Sequence, residues 1–175
     1  TFDGSILDLR WTNDNSPSNP SGSEIAIVSD QAVGGGKENL YNHLQPSINA
    51  SGNFAVQIDA AVEQAQDWGA SLMVYWDTTH FIVLKAPKNN RFRAEVYDGS
   101  TFTTMNSSVT YTGGLATMRI EFANDKVKFY GKNQGDAVLT HFSGLDIVRD
   151  TWTKQPTALL IIGKGRQDVL TYTNP

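Results

Sequence analysis

The sequence predicts an all-β chain folded as an antiparallel two-sheet β-sandwich. Three observations carry that prediction: apolar residues recur at every second position in several separate runs, turn-forming residues punctuate those runs, and no helical segments alternate with them. Successive side chains of a strand point to opposite faces, so this pattern gives one face to the core and one to water. A parallel α/β sheet would need helical crossovers and strands buried on both faces.

Taken in order, the first fifty residues are the least regular. Asn13 to Ser23 is a polar loop holding Pro17 and Pro20, and Val33-Gly34-Gly35-Gly36 is a second flexible passage, while Glu24 to Val28 and Asn39 to Leu44 read as strands. From Asn53 onward alternation dominates. Phe54, Val56, Ile58 and Ala60 flank Gln57 and Asp59, and Leu72, Val74 and Trp76 flank Tyr75. Phe92, Ala94 and Val96 alternate with Arg91, Arg93, Glu95 and Tyr97, and Met118, Ile120 and Phe122 with Arg119 and Glu121. Val127 and Phe129 mark a further strand, and Ala158 to Ile162 is a continuous apolar run suited to burial on both faces. Turn chemistry separates the runs at Ser51-Gly52-Asn53, Trp68-Gly69, Pro87 to Asn90, Asp98-Gly99, Gly113-Gly114, Asn124-Asp125 and Asn133-Gln134-Gly135. The only helical candidates are short, at Ala61 to Gln66 and Leu145 to Asp150.

A length of 175 residues suits one domain, taken as 1–175, with a two-layer core. A net charge of −4 with no basic run argues against nucleic acid and anionic membranes as partners. No apolar stretch reaches the length of a membrane span, and Thr1-Phe2-Asp3 opens without a signal segment. The absence of cysteine excludes a disulfide framework, a thiolate metal site and a cysteine nucleophile. Richness in Ser, Thr, Asn and Gly leads to the expectation of an extracellular bacterial protein, secreted or at the cell surface.

Phe2-Asp3-Gly4, Leu7-Asp8 and Arg10-Trp11 resemble the opening of domains in the concanavalin A-like lectin and glucanase superfamily. Gly52-Asn53-Phe54, then Gly69 to Asp77, then His80 to Leu84, are similar to the C-terminal β-sandwiches of family 43 glycosidases and to family 66 carbohydrate-binding modules. Met118 to Glu121 and Phe129-Tyr130 extend the likeness over nearly the whole chain. The resemblance implies a curved jelly roll of two antiparallel sheets, commonly sugar-binding and sometimes stabilised by calcium. The matching positions are mainly core and turn residues, so no ligand residue is carried over from them.

Glycosidases of that superfamily place paired carboxylates on one strand, one as nucleophile and one as general acid. Two residues after Glu24, Glu38, Glu63, Glu95 and Glu121 stand Ala26, Leu40, Ala65, Tyr97 and Ala123, so the Glu-x-Asp-x-x-Glu arrangement is absent. A β-sandwich lyase would want a base and a carboxylate neutraliser; His80, Arg91, Arg93 and Tyr97 supply the residue types without a matching spacing. The histidines show no paired metal-ligand spacing, no serine sits in a nucleophile elbow, and Gly163-Lys164-Gly165 is no phosphate loop.

Sugar recognition asks for aromatic faces beside planar polar groups. Alternation exposes Gln57, Asp59, Tyr75, Asp77, Arg93, Glu95, Tyr97, Arg119 and Glu121, which form one polar, aromatic-dotted platform if their strands share a sheet. The same Arg and Glu alternation also fits cross-strand ion pairs on a solvated face. Trp76 falls in phase with the core, Trp11 and Trp68 beside turns read as core plugs, and Trp152, between Arg149 and Lys154, is expected to stack on ligand. Loops offer a second site at His80, Asn89, Asn90 and Lys164 to Asp168, where Arg166 is suited to grip paired hydroxyls. No cofactor is required; Asp3, Asp8, Asp150 and Asp168 offer oxygens for a structural calcium if distant segments converge.

The reading is a non-catalytic carbohydrate-binding module that targets a larger glycan-active enzyme or adhesin to polysaccharide or oligosaccharide, with other domains of that parent as partners. Its rivals are a small sandwich lyase or hydrolase, and a structural or protein-binding sandwich.

Overall fold

The computed structural model describes residues 11–13, 24–28, 37–42, 52–62, 70–87, 90–164 and 169–173. They form strands in two antiparallel sheets packed face to face. In chain order the strands are β1 (Trp11–Asn13), β2 (Glu24–Val28), β3 (Lys37–Asn42), β4 (Phe54–Val62), β5 (Ala70–Asp77), β6 (His80–Ala86) and β7 (Asn90–Asp98). There follow β8 (Phe102–Tyr111), β9 (Gly114–Ala123), β10 (Lys126–Lys132), β11 (Thr140–His141), β12 (Ile147–Val148), β13 (Ala158–Lys164) and β14 (Val169–Thr173).

The first sheet runs β1-β3-β13-β5-β6-β7-β8 and the second β11-β10-β9-β4-β14-β2, with β12 also on β10. Each alternating run predicted from the sequence is a strand with its apolar set inward. Val56 and Ile58 of β4, Met118, Ile120 and Phe122 of β9, and Val127 and Phe129 of β10 face Leu72 and Val74 of β5, Ile82 and Leu84 of β6, and Phe92, Ala94 and Val96 of β7. Burying a Phe or Ile side chain contributes about 1.5–3 kcal/mol, and aromatic rings clamp the layers together. Trp76 of β5 meets Phe122 of β9 edge-on at 6.0 Å, and Phe122 stacks on Phe54 at 4.4 Å. At the other end Phe92 lies 5.3 Å from Phe142, under which Gly131 leaves no room: an added Cβ would stand 2.7 Å from Phe142 Cζ.

The turns follow their residue chemistry. Asn124, with φ 49°, reverses β9 into β10, and Gly99, Gly113 and Gly114 take positive φ at the ends of β7 and at the β8 to β9 corner. Asn53 ties two of these reversals together, its Oδ1 accepting from Asn124 N at 2.8 Å and from Arg149 Nη1 at 3.2 Å.

One helical candidate is corrected in its first two residues and the other throughout. Ala61 and Val62 complete β4, paired with Leu115 and Gly114, and the rest of that segment lies outside the described residues. In place of a helix over Leu145 to Asp150 there is a 3-10 turn at Ser143–Leu145, then β12, then a second 3-10 turn at Asp150–Trp152. The β-branched Ile147 and Val148 pair with Val127 and Lys126, and that ladder outweighs a helix too short to stabilise itself. The predicted strand Asn39 to Leu44 is observed at Lys37–Asn42, while β8, rich in Thr, Ser and Asn, has no counterpart among the predicted strands. No described helix is long and apolar enough to cross a membrane.

Candidate functional site

The expected platform is divided between two faces. Asp59 on β4 and Arg119 and Glu121 on β9 belong to the second sheet, whereas Tyr75, Asp77, Arg93, Glu95 and Tyr97 belong to the first. Alternation reports which side chains point away from a core; it is silent on which sheet a strand joins. The chain changes sheets between β4 and β5 and again between β8 and β9, so the two sets look outward in opposite directions.

On the outer side of the first sheet, the register aligns Tyr75 with Phe81, Phe81 with Tyr97, and Tyr97 with Phe102. Phe81 lies 5.8 Å from Tyr97 and 6.3 Å from Phe102, and Tyr97 lies 6.4 Å from Phe102. Phe102 is 54% exposed, and its neighbours in the row are half-buried. The next rows hold Val83 opposite Glu95 and Glu95 opposite Thr104, then Lys85 opposite Arg93 and Arg93 opposite Asn106. Val83 is 3% exposed and Lys85 9%, although both point away from the core, so the face is covered around β6 and open at β8.

On this covered part of the face Lys85 Nζ meets Glu95 Oε2 at 2.6 Å. Glu95 is therefore the ion-pair partner that the alternation also allowed. Arg93 behaves differently: its Nε is buried and has no hydrogen-bond partner.

The rim beyond the aromatic row is built from turn aspartates. Asp77 Oδ1 accepts from Thr79 N and Oγ1, each at 2.8 Å, and lies 3.0 Å from His80 Nδ1. Those Thr79 donors, assisted by His80, hold the Asp77 carboxyl well below the usual carboxylate range. Asp98 is lowered in the same way by the backbone N–H groups of Thr101 and Ser100 and by the Ser100 hydroxyl. Both carboxylates shape the ends of hairpins, and an oxygen of each is already engaged.

On the second sheet's outer face several of the described polar side chains pair with one another. Thr117 Oγ1 donates to Asp59 Oδ1 at 2.5 Å, and Arg119 Nη2 donates to Glu121 Oε2 at 2.8 Å. Tyr130 stacks on His141 at 4.8 Å, and His141 Nε2 lies 2.8 Å from Asp146 Oδ1. Burial, then the nearby Glu121 carboxylate, push the Tyr130 hydroxyl above its ordinary range.

Trp152 does not stand in a ligand-facing loop. It is 2% exposed, with its ring 4.8 Å from Trp76, because the 3-10 turn at Asp150–Trp152 folds it onto the core. Trp76, expected in the core, is half-buried and donates its Nε1 hydrogen to Lys154 O at 2.7 Å. Arg166, Asp3, Asp8 and Asp168 lie outside the described residues, and Asp150 is exposed. Among the described residues no group of three or more His, Cys, Asp or Glu is placed to hold a metal ion. Two residues of the aromatic row escaped the sequence reading as site candidates. Phe81 lay in an apolar run where either side could be inward, and Phe102 stands on the unrecognised β8.

No known family profile and no curated protein matches the sequence. Solved structures do match the fold. The GH43 protein BlXynB of Bacillus licheniformis, as a point mutant, is similar with a TM-score of 0.72 at 10% identity over 98% of this chain and 37% of that one. This chain thus spans little more than a third of that enzyme's length. The CBM2 module of the evolved Dit of Lactobacillus casei BL23 phage J-1 gives 0.65 at 12% identity, covering 98% and 90% of the two chains. The exoplasmic/lumenal domain of VIP36, in a form bound to Ca2+ and Man3GlcNAc, gives 0.66 at 11% identity, covering 94% and 80%. The likeness is one of fold, an antiparallel two-sheet β-sandwich.

Proposed function

We propose that this chain is a non-catalytic carbohydrate-binding domain that uses the outer face of β5 to β8. The observation that carries the reading is the in-register row Tyr75, Phe81, Tyr97 and Phe102, with one ring 54% exposed, beside rows of polar side chains on the same face. Aromatic rings take the apolar face of a sugar, and planar polar groups take its hydroxyls. Lectin and carbohydrate-binding domains among the structural neighbours support the same reading.

The disposition of the carboxylates supports a non-catalytic role. Glycoside hydrolysis needs two carboxyl groups facing one bond, about 5–9.5 Å apart. Here Glu95 is neutralised by Lys85 on one face and Glu121 by Arg119 on the opposite one. Binding would then act by tethering, raising the local concentration of polymer around an extracellular parent enzyme or adhesin.

Affinity electrophoresis in gels containing neutral or acidic polysaccharides, with and without calcium, tests the proposal. Retardation that Phe102→Ala abolishes is the expected result. Absence of retardation by every polymer, or release of reducing ends from any of them, overturns it.

A further inference from the structure

On the part of this face away from the rim, cationic side chains outnumber anionic ones among the described residues. Lys85 and Arg93 stand directly opposite each other on β6 and β7, and Glu95 is the one carboxylate among the described side chains beside them. Glu95 is engaged by Lys85 at 2.6 Å, with the two side chains only 12% and 11% exposed. Across from Arg93 on β8 is Asn106, a neutral residue. Arg93 Nε is buried without a hydrogen-bond partner, a state that native proteins rarely leave uncompensated. A guanidinium that has already lost water from one edge gains more from an anion than a fully solvated one would.

The chain's overall charge of −4 does not oppose this. Surface charges are screened beyond roughly 8 Å at physiological salt. Asp77 and Asp98 lie at the far end of the face, four residues along β7 from Arg93 to Tyr97, which is about 13 Å at strand rise.

We propose that the glycan bound by this face is acidic, its carboxylate or sulfate meeting Arg93 while a neighbouring sugar ring lies on Tyr97 and Phe102. This rests on the sugar-binding reading above and adds the ligand's class. The anion accepts hydrogen bonds from the guanidinium's outer edge, while Lys85 stays paired with Glu95 beside it.

Titration calorimetry at physiological salt tests this with polygalacturonate against its methyl ester, and dextran sulfate against dextran; the first pair reads carboxylate and the second sulfate. One acidic polymer is expected to bind at least about tenfold more tightly than its neutral counterpart, the effect of one charged hydrogen-bonded contact. Arg93→Gln should remove that preference without lowering the melting temperature, since it relieves a buried unpartnered donor. Arg91→Gln, which removes an exposed charge two residues away, should change affinity by less than about threefold. Equal losses in the two variants would mean diffuse attraction and overturn the proposal. Equal binding of acidic and neutral polymers, still lost in Tyr97→Ala, would overturn the acidic class and leave the sugar platform standing. Failure of every polymer to bind would remove both.

Discussion

Tyr97 on β7 and Phe102 on β8 stand opposite each other on the side of the sheet turned from the core, ring centroids 6.4 Å apart and nearly perpendicular at 78°. The pair closes the Asp98 to Thr101 turn from one side and leaves Phe102 facing solvent. A cross-strand aromatic pair of this kind contributes up to about 1 kcal/mol to the sheet, which is small enough for binding and stability effects to be separated by mutation.

Tyr97→Ala should weaken glycan binding roughly tenfold, about 1.4 kcal/mol, because it removes one of the flat faces available for stacking. Its cost to stability should be on the order of 1 kcal/mol. Isothermal titration and urea denaturation of the same variant separate the two effects. A large loss of stability with unchanged affinity would make the row a structural feature alone.

Trp152→Ala should behave oppositely. The ring is 2% exposed and packs on Trp76, so truncation leaves a core cavity and costs about 3–5 kcal/mol. Binding measured below the lowered unfolding midpoint should stay close to the parent value. Loss of affinity in a folded variant would return Trp152 to the site.

Lys85 and Glu95 form an ion pair largely withdrawn from water, and removing Lys85 leaves the Glu95 charge uncompensated. Glu95→Gln alone should cost about 3 kcal/mol, and Lys85→Met alone a similar amount. The double variant should recover a good part of the sum. A double-mutant cycle with coupling below about 0.5 kcal/mol would show that the contact is screened as exposed pairs are.

Acid should loosen the rim before it unfolds the sandwich. Asp77 and Asp98 have folded-state pKa values below their ordinary ones, so the stabilisation they give is complete above the unfolded value near 3.9 and fades as pH falls through the lower folded values. Carboxyl shifts followed by NMR should show both groups more than half ionised at about pH 3.9, with the turns at Thr79 and Ser100 losing amide protection below it. Ordinary titration midpoints for both would show that the hydrogen bonds from Thr79, Ser100 and Thr101 do not persist in solution.

Where local pattern sufficed, the sequence was readable. Glu24–Val28 occurs as predicted, and the alternating runs from Phe54 through Phe129 each became a strand whose apolar set is buried. The strand β8 went unseen because its exposed Thr, Ser and Asn residues imitate a loop, and its pairing with β7 supplies the order that its own composition does not. At Leu145 to Asp150 a plausible helical segment yielded to the partner strand β10, since six residues hold too few helical hydrogen bonds to compete.

The candidate site divides along the same line. The outward direction of Tyr75, Arg93, Glu95, Tyr97, Arg119 and Glu121 follows from period two, a property of the extended backbone that neighbours in sequence determine. Which of them meet is decided by sheet membership and register, set by contacts between residues far apart in the chain. Those contacts put Arg119 and Glu121 on the back of the molecule, turned Trp152 into the core, joined Glu95 to Lys85, and set Phe81 and Phe102 beside Tyr97. The sequence by itself determined an antiparallel sandwich with polar outer faces. Only the tertiary structure gathered an aromatic row and an unpartnered arginine on one of them, because side-chain direction is a local consequence of strand geometry whereas proximity is a consequence of pairing.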